Sequence, residues 1–315
     1  MDRSASNLKP ADLAARKGGG ASVRMIAIDL DGTLLGPDGK VSEANRKAVL
    51  AAREAGILVV VCTGRGLVES RPHLDAIAQT DPVVVAGGAM IACPVTSRTL
   101  RRFGMDRSLV SSVVDALHGH ALAALVLKDP LAAGFDYLVV TGEADHPLDP
   151  VTEWWFRTQG VTVQRVRTLE DDPQPEHTVR VGACAMSSVL DRVEVALRPV
   201  LDERTTLHNF PAVAAPEHVR RLPDGESLHI FEVFDQSADK WNAMLHLGSQ
   251  HGIDATQMAA IGDQINDLTM IRGAGLGIAM GNAIQLVKDA ARQRTRGHHE
   301  DGVAHAIGQI LSGAW

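Results

Sequence analysis

The feature that most constrains this chain is a rhythm of short apolar runs alternating with helical stretches. Val23 to Leu30, Ile57 to Cys62 and Val83 to Ala86 are too short for helices of normal length and suit buried strands. Between them, Ser42 to Ala55 carries apolar residues at helical spacing, opens on a capping Ser42 and closes at Gly56, and Leu67 to Gln79 reads as a second helix. The C-terminal third repeats the beat. Helical stretches Ala238–His251, Asp267–Arg272, Ala283–Ala290 and Val303–Leu311 enclose strand runs Met258–Ile261 and Leu276–Ala279. Strand, helix, strand in succession predicts an α/β fold, a Rossmann-like core in which helices cover a parallel sheet.

The middle breaks the rhythm. Strand-like pieces (Leu122–Leu127, Tyr137–Val140, Val161–Val166, Val179–Ala183) mix there with helix-like ones (Leu109–His118, Val189–Leu201), punctuated by stretches such as Glu170-Asp171-Asp172-Pro173. This predicts a second α/β domain, residues 93–222, inserted into a core of residues 22–92 and 223–315. The length of 315 residues accommodates both, since single cores stop growing near roughly 250–300 residues. Residues 1–21, with a Gly18-Gly19-Gly20 run and no apolar stretch, read as a disordered tail without a signal peptide.

Composition narrows the partners. Aromatic residues are only 3% of the chain, which leaves little for stacking on bases, and a net charge of −7 opposes binding a polyanion over a wide surface. No run approaches a membrane span. Cys62, Cys93 and Cys184 are scattered and read as free thiols of a reducing compartment. The expectation is a cytoplasmic protein, monomer or homodimer, whose partner is a small molecule and neither nucleic acid nor membrane.

Polar clusters follow the apolar runs at the ends where open parallel sheets bind ligands. Asp29-Leu30-Asp31-Gly32-Thr33 closes the first strand, Thr63-Gly64-Arg65 the second, and Gly262-Asp263 with Asn266-Asp267 the run ending at Ile261, while Lys240 precedes that run on a helix start. If these strands are neighbours, acids, a hydroxyl, an amide and an amine converge on one sheet edge. Such a set suits phosphate ester chemistry. A hard cation held by carboxylates neutralises the ester's charge, a carboxylate attacks phosphorus, a second carboxyl moves the proton, and a hydroxyl and ammonium hold the oxygens.

In these four ordered motifs the sequence resembles the haloacid dehalogenase (HAD) superfamily. Ala279-Met280-Gly281-Asn282-Ala283 and Asp301-Gly302-Val303-Ala304 resemble its Cof-type branch, which carries a large α/β cap. The resemblance implies an Mg²⁺-dependent phosphatase. Asp29 would be the nucleophile and a metal ligand, and Asp31 the general acid/base, its backbone carbonyl also on the metal. Thr63, Gly64, Lys240 and Asn266 would bind the phosphoryl group. Asp263 would ligate Mg²⁺, and Asp267 would ligate or support it. The substrate would be a small phosphorylated metabolite: a sugar phosphate, nucleotide or phosphorylated cofactor. A phosphomannomutase-like mutase and a non-catalytic phosphate-binding protein are the alternative readings.

Two positions depart from the branch. Gly87-Gly88-Ala89 stands where an Asn-Gly-Ala is usual, and Trp241 follows the motif lysine where Gly is usual. His298-His299-Glu300-Asp301 reads as a solvated loop and Trp154-Trp155-Phe156 as cap core, with a surface closing on the site as the second reading. Arg65 is expected to buttress its loop, with a direct phosphate contact as the second reading. His208, His218, His229 and Arg220-Arg221 lie near the return from cap to core.

Overall fold

The computed structural model describes residues 22–201, 205–212 and 226–315. The expected tail 1–21, His218 and Arg220-Arg221 lie outside the described residues. In chain order the first core segment comprises β1 (Met25–Ile28), α1 (Glu43–Glu54), β2 (Leu58–Val61), α2 (Leu67–Ala76), β3 (Val83–Val85), β4 (Met90–Ala92) and β5 (Thr99–Arg102). The inserted region comprises α3 (Arg107–His118), β6 (Ala124–Lys128), α4 (Pro130–Ala133), β7 (Tyr137–Val140), α5 (Pro150–Gln159), β8 (Val163–Val166), β9 (Thr178–Met186), α6 (Ser187–Leu197), β10 (Thr205–Pro211) and β11 (Leu228–Asp235). The chain then returns through α7 (Lys240–His251), β12 (Met258–Gly262), α8 (Leu268–Gly273), β13 (Leu276–Ala279), α9 (Gln285–Ala290), β14 (Gln293–Arg294) and α10 (Gly302–Ser312).

The core sheet has the order β14-β13-β12-β1-β2 and is parallel throughout. Every residue of β1 is buried, as expected of a central strand with helices on both faces. A parallel bridge between Cys62 and Val84 carries the sheet on to β3. Register then positions the polar clusters. Ile28 lies opposite Ile261 on one side and Val61 on the other, so the residues just past three strand ends emerge side by side.

Local chemistry sets the helix starts. The Ser42 side chain accepts from Asn45 N at the head of α1, and Asp239 accepts from Trp241 N and Asn242 N at the head of α7. The Asp301-Gly302 turn sews the last helix to the first, because Ser42 Oγ donates to Asp301 Oδ1 (2.6 Å) and Ala304 N to Asn45 Oδ1 (2.9 Å).

The inserted region forms a six-stranded sheet, β10-β11-β9-β6-β7-β8, antiparallel except for the β7–β8 pair. Its outer face packs on α3 and α6 through residues such as Val113, Leu117, Leu190 and Val193. Its other face turns to the core, and Tyr137, Val139, Phe156 and Phe234 belong to the same apolar cluster as the parallel sheet.

The return at residue 223 expected from the sequence precedes β11, which pairs with β9 and β10 over residues 228–235. The second sheet therefore extends past that point. The strand's polar members, His229 and Glu232, mask it in a linear reading. Glu232 is buried because Arg180 neutralises it from the neighbouring strand at 2.6 Å.

Candidate active site

The loop after β1 places Asp29 at the strand's carboxyl end. It turns back at once, with Leu34 N bonded to Asp29 O and Leu35 N to Leu30 O. Gly32 has φ +75°, and a Cβ there would stand 2.5 Å from Asp263 Oδ2, so only glycine fits. Lys240, the first residue of α7, is fully buried and reaches across to two acids. Its Nζ is 2.6 Å from Asp29 Oδ1 and 2.6 Å from Asp267 Oδ1.

Asp267 is held on its other oxygen by the backbone N–H groups of Asp263 (2.9 Å) and Gln264 (3.0 Å). Asp263 accepts from Thr33 Oγ1 (3.0 Å) on Oδ1 and from Asn282 Nδ2 (3.3 Å) on Oδ2, and the same Asn282 amide donates to Gly32 O at 2.8 Å. Carboxylate oxygens of Asp29, Asp263 and Asp267 lie within 4.8 Å of one another, all buried.

Three carboxylates thus share one ammonium. Burial and the Asp267 charge push the Asp29 carboxyl well above the usual range despite Lys240. Burial and Asp267 push Asp263 up to about 7. Burial alone would lower the Lys240 ammonium, but Asp267 and Asp29 outweigh it and raise it. The acids raise the ammonium they bond, whereas the Asp29 carboxyl is raised by burial first and by the Asp267 charge second. Asn266 Oδ1 is buried without a hydrogen-bond partner. Hard oxygen donors and an uncompensated charge of two fit a divalent cation.

Not all predicted residues join this group. Thr63 is buried past the end of β2 and its Oγ1 accepts from Arg65 N at 3.1 Å. Gly64 faces the second sheet through its carbonyl, which accepts from Arg180 Nη1 at 2.8 Å. The Asp31 carboxylate stands apart from the three acids and pairs with both arms of Arg65, Nε–Oδ2 2.8 Å and Nη2–Oδ1 2.5 Å. Arg65 therefore does more than buttress a loop.

The structure also brings in residues that a motif reading leaves without a role: Thr33, Asn282 and Arg180. Thr33 and Asn282 lie inside the quoted motifs, so their hydrogen-bonding side chains were the available signal. Arg180 sits in the cap and had none.

The departures resolve differently. Above Gly87 the Phe234 ring fills the space of a missing side chain, since a Cβ there would meet Phe234 Cζ at 2.9 Å. Trp241 lies against Gly273 of α8, on the core and away from the cap. His208 of β10 packs on Phe234 (5.6 Å between ring centroids), and burial and the Lys240 charge push it down to about 4. His229 bonds Asn209. His298 binds Leu35 O from the loop it shares with the exposed His299. Trp155 leaves the cap core and reaches Glu69 of α2.

The haloacid dehalogenase-like hydrolase family matches residues 26–146 and 222–307. The chain belongs to that family. It is 31% identical over 308 residues to the 5-amino-6-(5-phospho-D-ribitylamino)uracil phosphatase YwtE of Bacillus subtilis, covering 93% of this chain and 100% of that protein. It is 26% identical to the pyridoxal phosphate phosphatase YbhA of Escherichia coli, over 91% and 98% of the two chains. A solved haloacid dehalogenase-like hydrolase from B. subtilis superposes with a TM-score of 0.72 at 25% identity, over 92% and 100% of the chains. This HAD protein is a phosphoric monoester hydrolase, with the α/β core and inserted cap expected of the Cof-type branch. Among the described residues no helix is long and apolar enough to cross a membrane.

Proposed function

We propose that the chain hydrolyses a small phosphate monoester in a Mg²⁺-dependent reaction through a phosphorylated Asp29. The observation that carries this is the buried Asp29 carboxylate, anchored by Lys240 on one oxygen and set beside Asp263 and Asp267 at the sheet edge.

An Asp29 oxygen bonds to phosphorus as the bond to the alcohol oxygen breaks, and Asp31 gives that oxygen its proton. Water then attacks the aspartyl phosphate, Asp31 takes its proton, and phosphate and the Asp29 carboxylate are released. Thr63, Lys240 and Asn266 hold phosphoryl oxygens. Asp29, Asp263 and the Asp31 carbonyl would hold Mg²⁺, with Asp267 fixing Asp263 and Lys240 in place. The ion supplies positive charge at the phosphoryl oxygens, which lowers the repulsion of an anionic nucleophile.

Relatives named for a ribitylamino-uracil phosphate and for pyridoxal phosphate support a phosphorylated metabolite as substrate, with sugar phosphates, nucleotides and phosphorylated cofactors as the class to screen. The test is phosphate release from such a panel with and without Mg²⁺, for the wild type and for Asp29→Asn. Turnover that requires Mg²⁺ and vanishes in a folded Asp29→Asn variant is expected. Activity retained by that variant would refute the mechanism.

A further inference from the structure

Asp31 and Asp29 differ in how they are held. The Asp29 side chain is 7% exposed and locked by Lys240. The Asp31 side chain is 34% exposed, and Arg65 is what restrains it. Arg65 is restrained in turn from both domains, by Trp155 of the inserted one and by His73 on α2 of the core. Its guanidinium carbon lies 4.9 Å from the centre of the Trp155 ring, and its Nη1 is 3.1 Å from His73 Nε2.

Trp155, on α5 of the inserted domain, is itself fixed, because its indole N–H donates to Glu69 Oε1 at 2.6 Å. Tyr137 OH donates to the same oxygen, and the other Glu69 oxygen accepts from Gly66 N at the start of α2. Arg180, paired with Glu232, donates to Tyr137 OH (3.0 Å) and to Gly64 O. The loop from Thr63 to Gly66 is thus gripped by the inserted sheet at several points around Arg65.

We infer that Trp155 is a positioning residue for Asp31: seated on Arg65, it fixes the guanidinium that fixes the acid. This rests on the phosphatase reading. The alcohol oxygen departs in line with Asp29 and away from it, so its proton donor must stand on the far side of the phosphoryl group. The Asp31–Arg65 pair is the part of the site that Trp155 covers. Arg65 bonds both Asp31 carboxylate oxygens, which fixes the plane and the reach of the group that serves the departing alcohol. A cation stacked on a partly desolvated indole is attracted by the ring's negative face, which holds this geometry without a covalent tie.

Two esters separate this role from a purely structural one. An alkyl phosphate has a poor leaving group and needs the proton, whereas 4-nitrophenyl phosphate does not. Because kcat/KM reports steps up to release of the alcohol, the later activation of water does not enter it. Trp155→Leu is expected to lower kcat/KM for the alkyl ester about tenfold more than for the aryl ester, a fraction of the roughly 10²–10⁴ supplied by a full proton donor. Trp155→Phe, which keeps a ring face over Arg65, is expected to restore most of the alkyl rate, and Arg65→Lys, which loses the two-armed contact, to behave like Trp155→Leu. Equal losses for both esters, no change in their ratio, or no recovery with phenylalanine would overturn the positioning role while leaving the phosphatase reading intact. A wild type that releases phosphate from neither ester would overturn both.

Discussion

Neutralising Asp263 should stabilise the metal-free protein, against the usual outcome of changing a buried, hydrogen-bonded residue. Burial and the Asp267 charge push Asp263 from the ordinary 3.8 to about 7, a displacement worth on the order of 4 kcal/mol. A carboxyl raised in the folded state binds its proton more tightly than it does in the unfolded chain. The stability it contributes is full below about pH 4 and is lost as pH rises through about 7. In Asp263→Asn, that loss disappears. At pH 8 in EDTA the variant should be more stable by up to about 4 kcal/mol, and at about 2–4 °C per kcal/mol for a chain of this size a Tm rise of several degrees is expected. At pH 4 the difference should largely vanish. Mg²⁺ should narrow the gap at pH 8, because the wild type alone gains about 2.7 kcal/mol at a hundredfold excess over Kd. Thermal melts followed by circular dichroism at both pH values read all of this. A variant no more stable than the wild type in EDTA at pH 8 would refute the claim that like charges strain this site.

Lys240→Met leaves Asp29 and Asp267 buried without their shared cation, and urea denaturation should show a loss of about 3–5 kcal/mol that shrinks on acidification. Gly87→Asn restores the amide usual in the branch, but its Cβ would press on Phe234. A cost of about 1–3 kcal/mol is expected, relieved in part in the Gly87→Asn/Phe234→Leu double variant, which removes the clash but not the strain of a side chain at φ +69°, as a double-mutant cycle by denaturation would show. Arg180→Met strands the buried Glu232 and frees Gly64 O. A stability loss of about 3–5 kcal/mol is expected, and hydrogen exchange should show the Thr63–Gly66 loop opening more readily.

Most of the core was legible because its signals are local. A strand buried on both faces must be apolar along its length, as Met25–Ile28 and Leu58–Val61 are, and a helix announces itself by its cap, as Ser42 does. The cap was only partly legible. Its strand β11 interleaves His229 and Glu232 with apolar residues, and Glu232 is tolerated inside only because Arg180 stands on the strand beside it. Helix α5, with the Trp154-Trp155-Phe156 cluster, divides its aromatics between two surroundings. Phe156 packs on Tyr137 within the cap, while Trp155 hydrogen-bonds Glu69 of the core.

From sequence alone came the candidate reacting groups and the strand ends that carry them, because chemistry depends on residue type and a strand's end is a local property. Which oxygen meets which proton was decided in three dimensions. Parallel register brings Asp29 and Asp263 together from opposite ends of the chain, and it leaves Asp31, close to Asp29 in sequence, on a different partner. Side-chain direction at a turn, and the charges that distant strands deliver to it, are set only when the whole chain has packed.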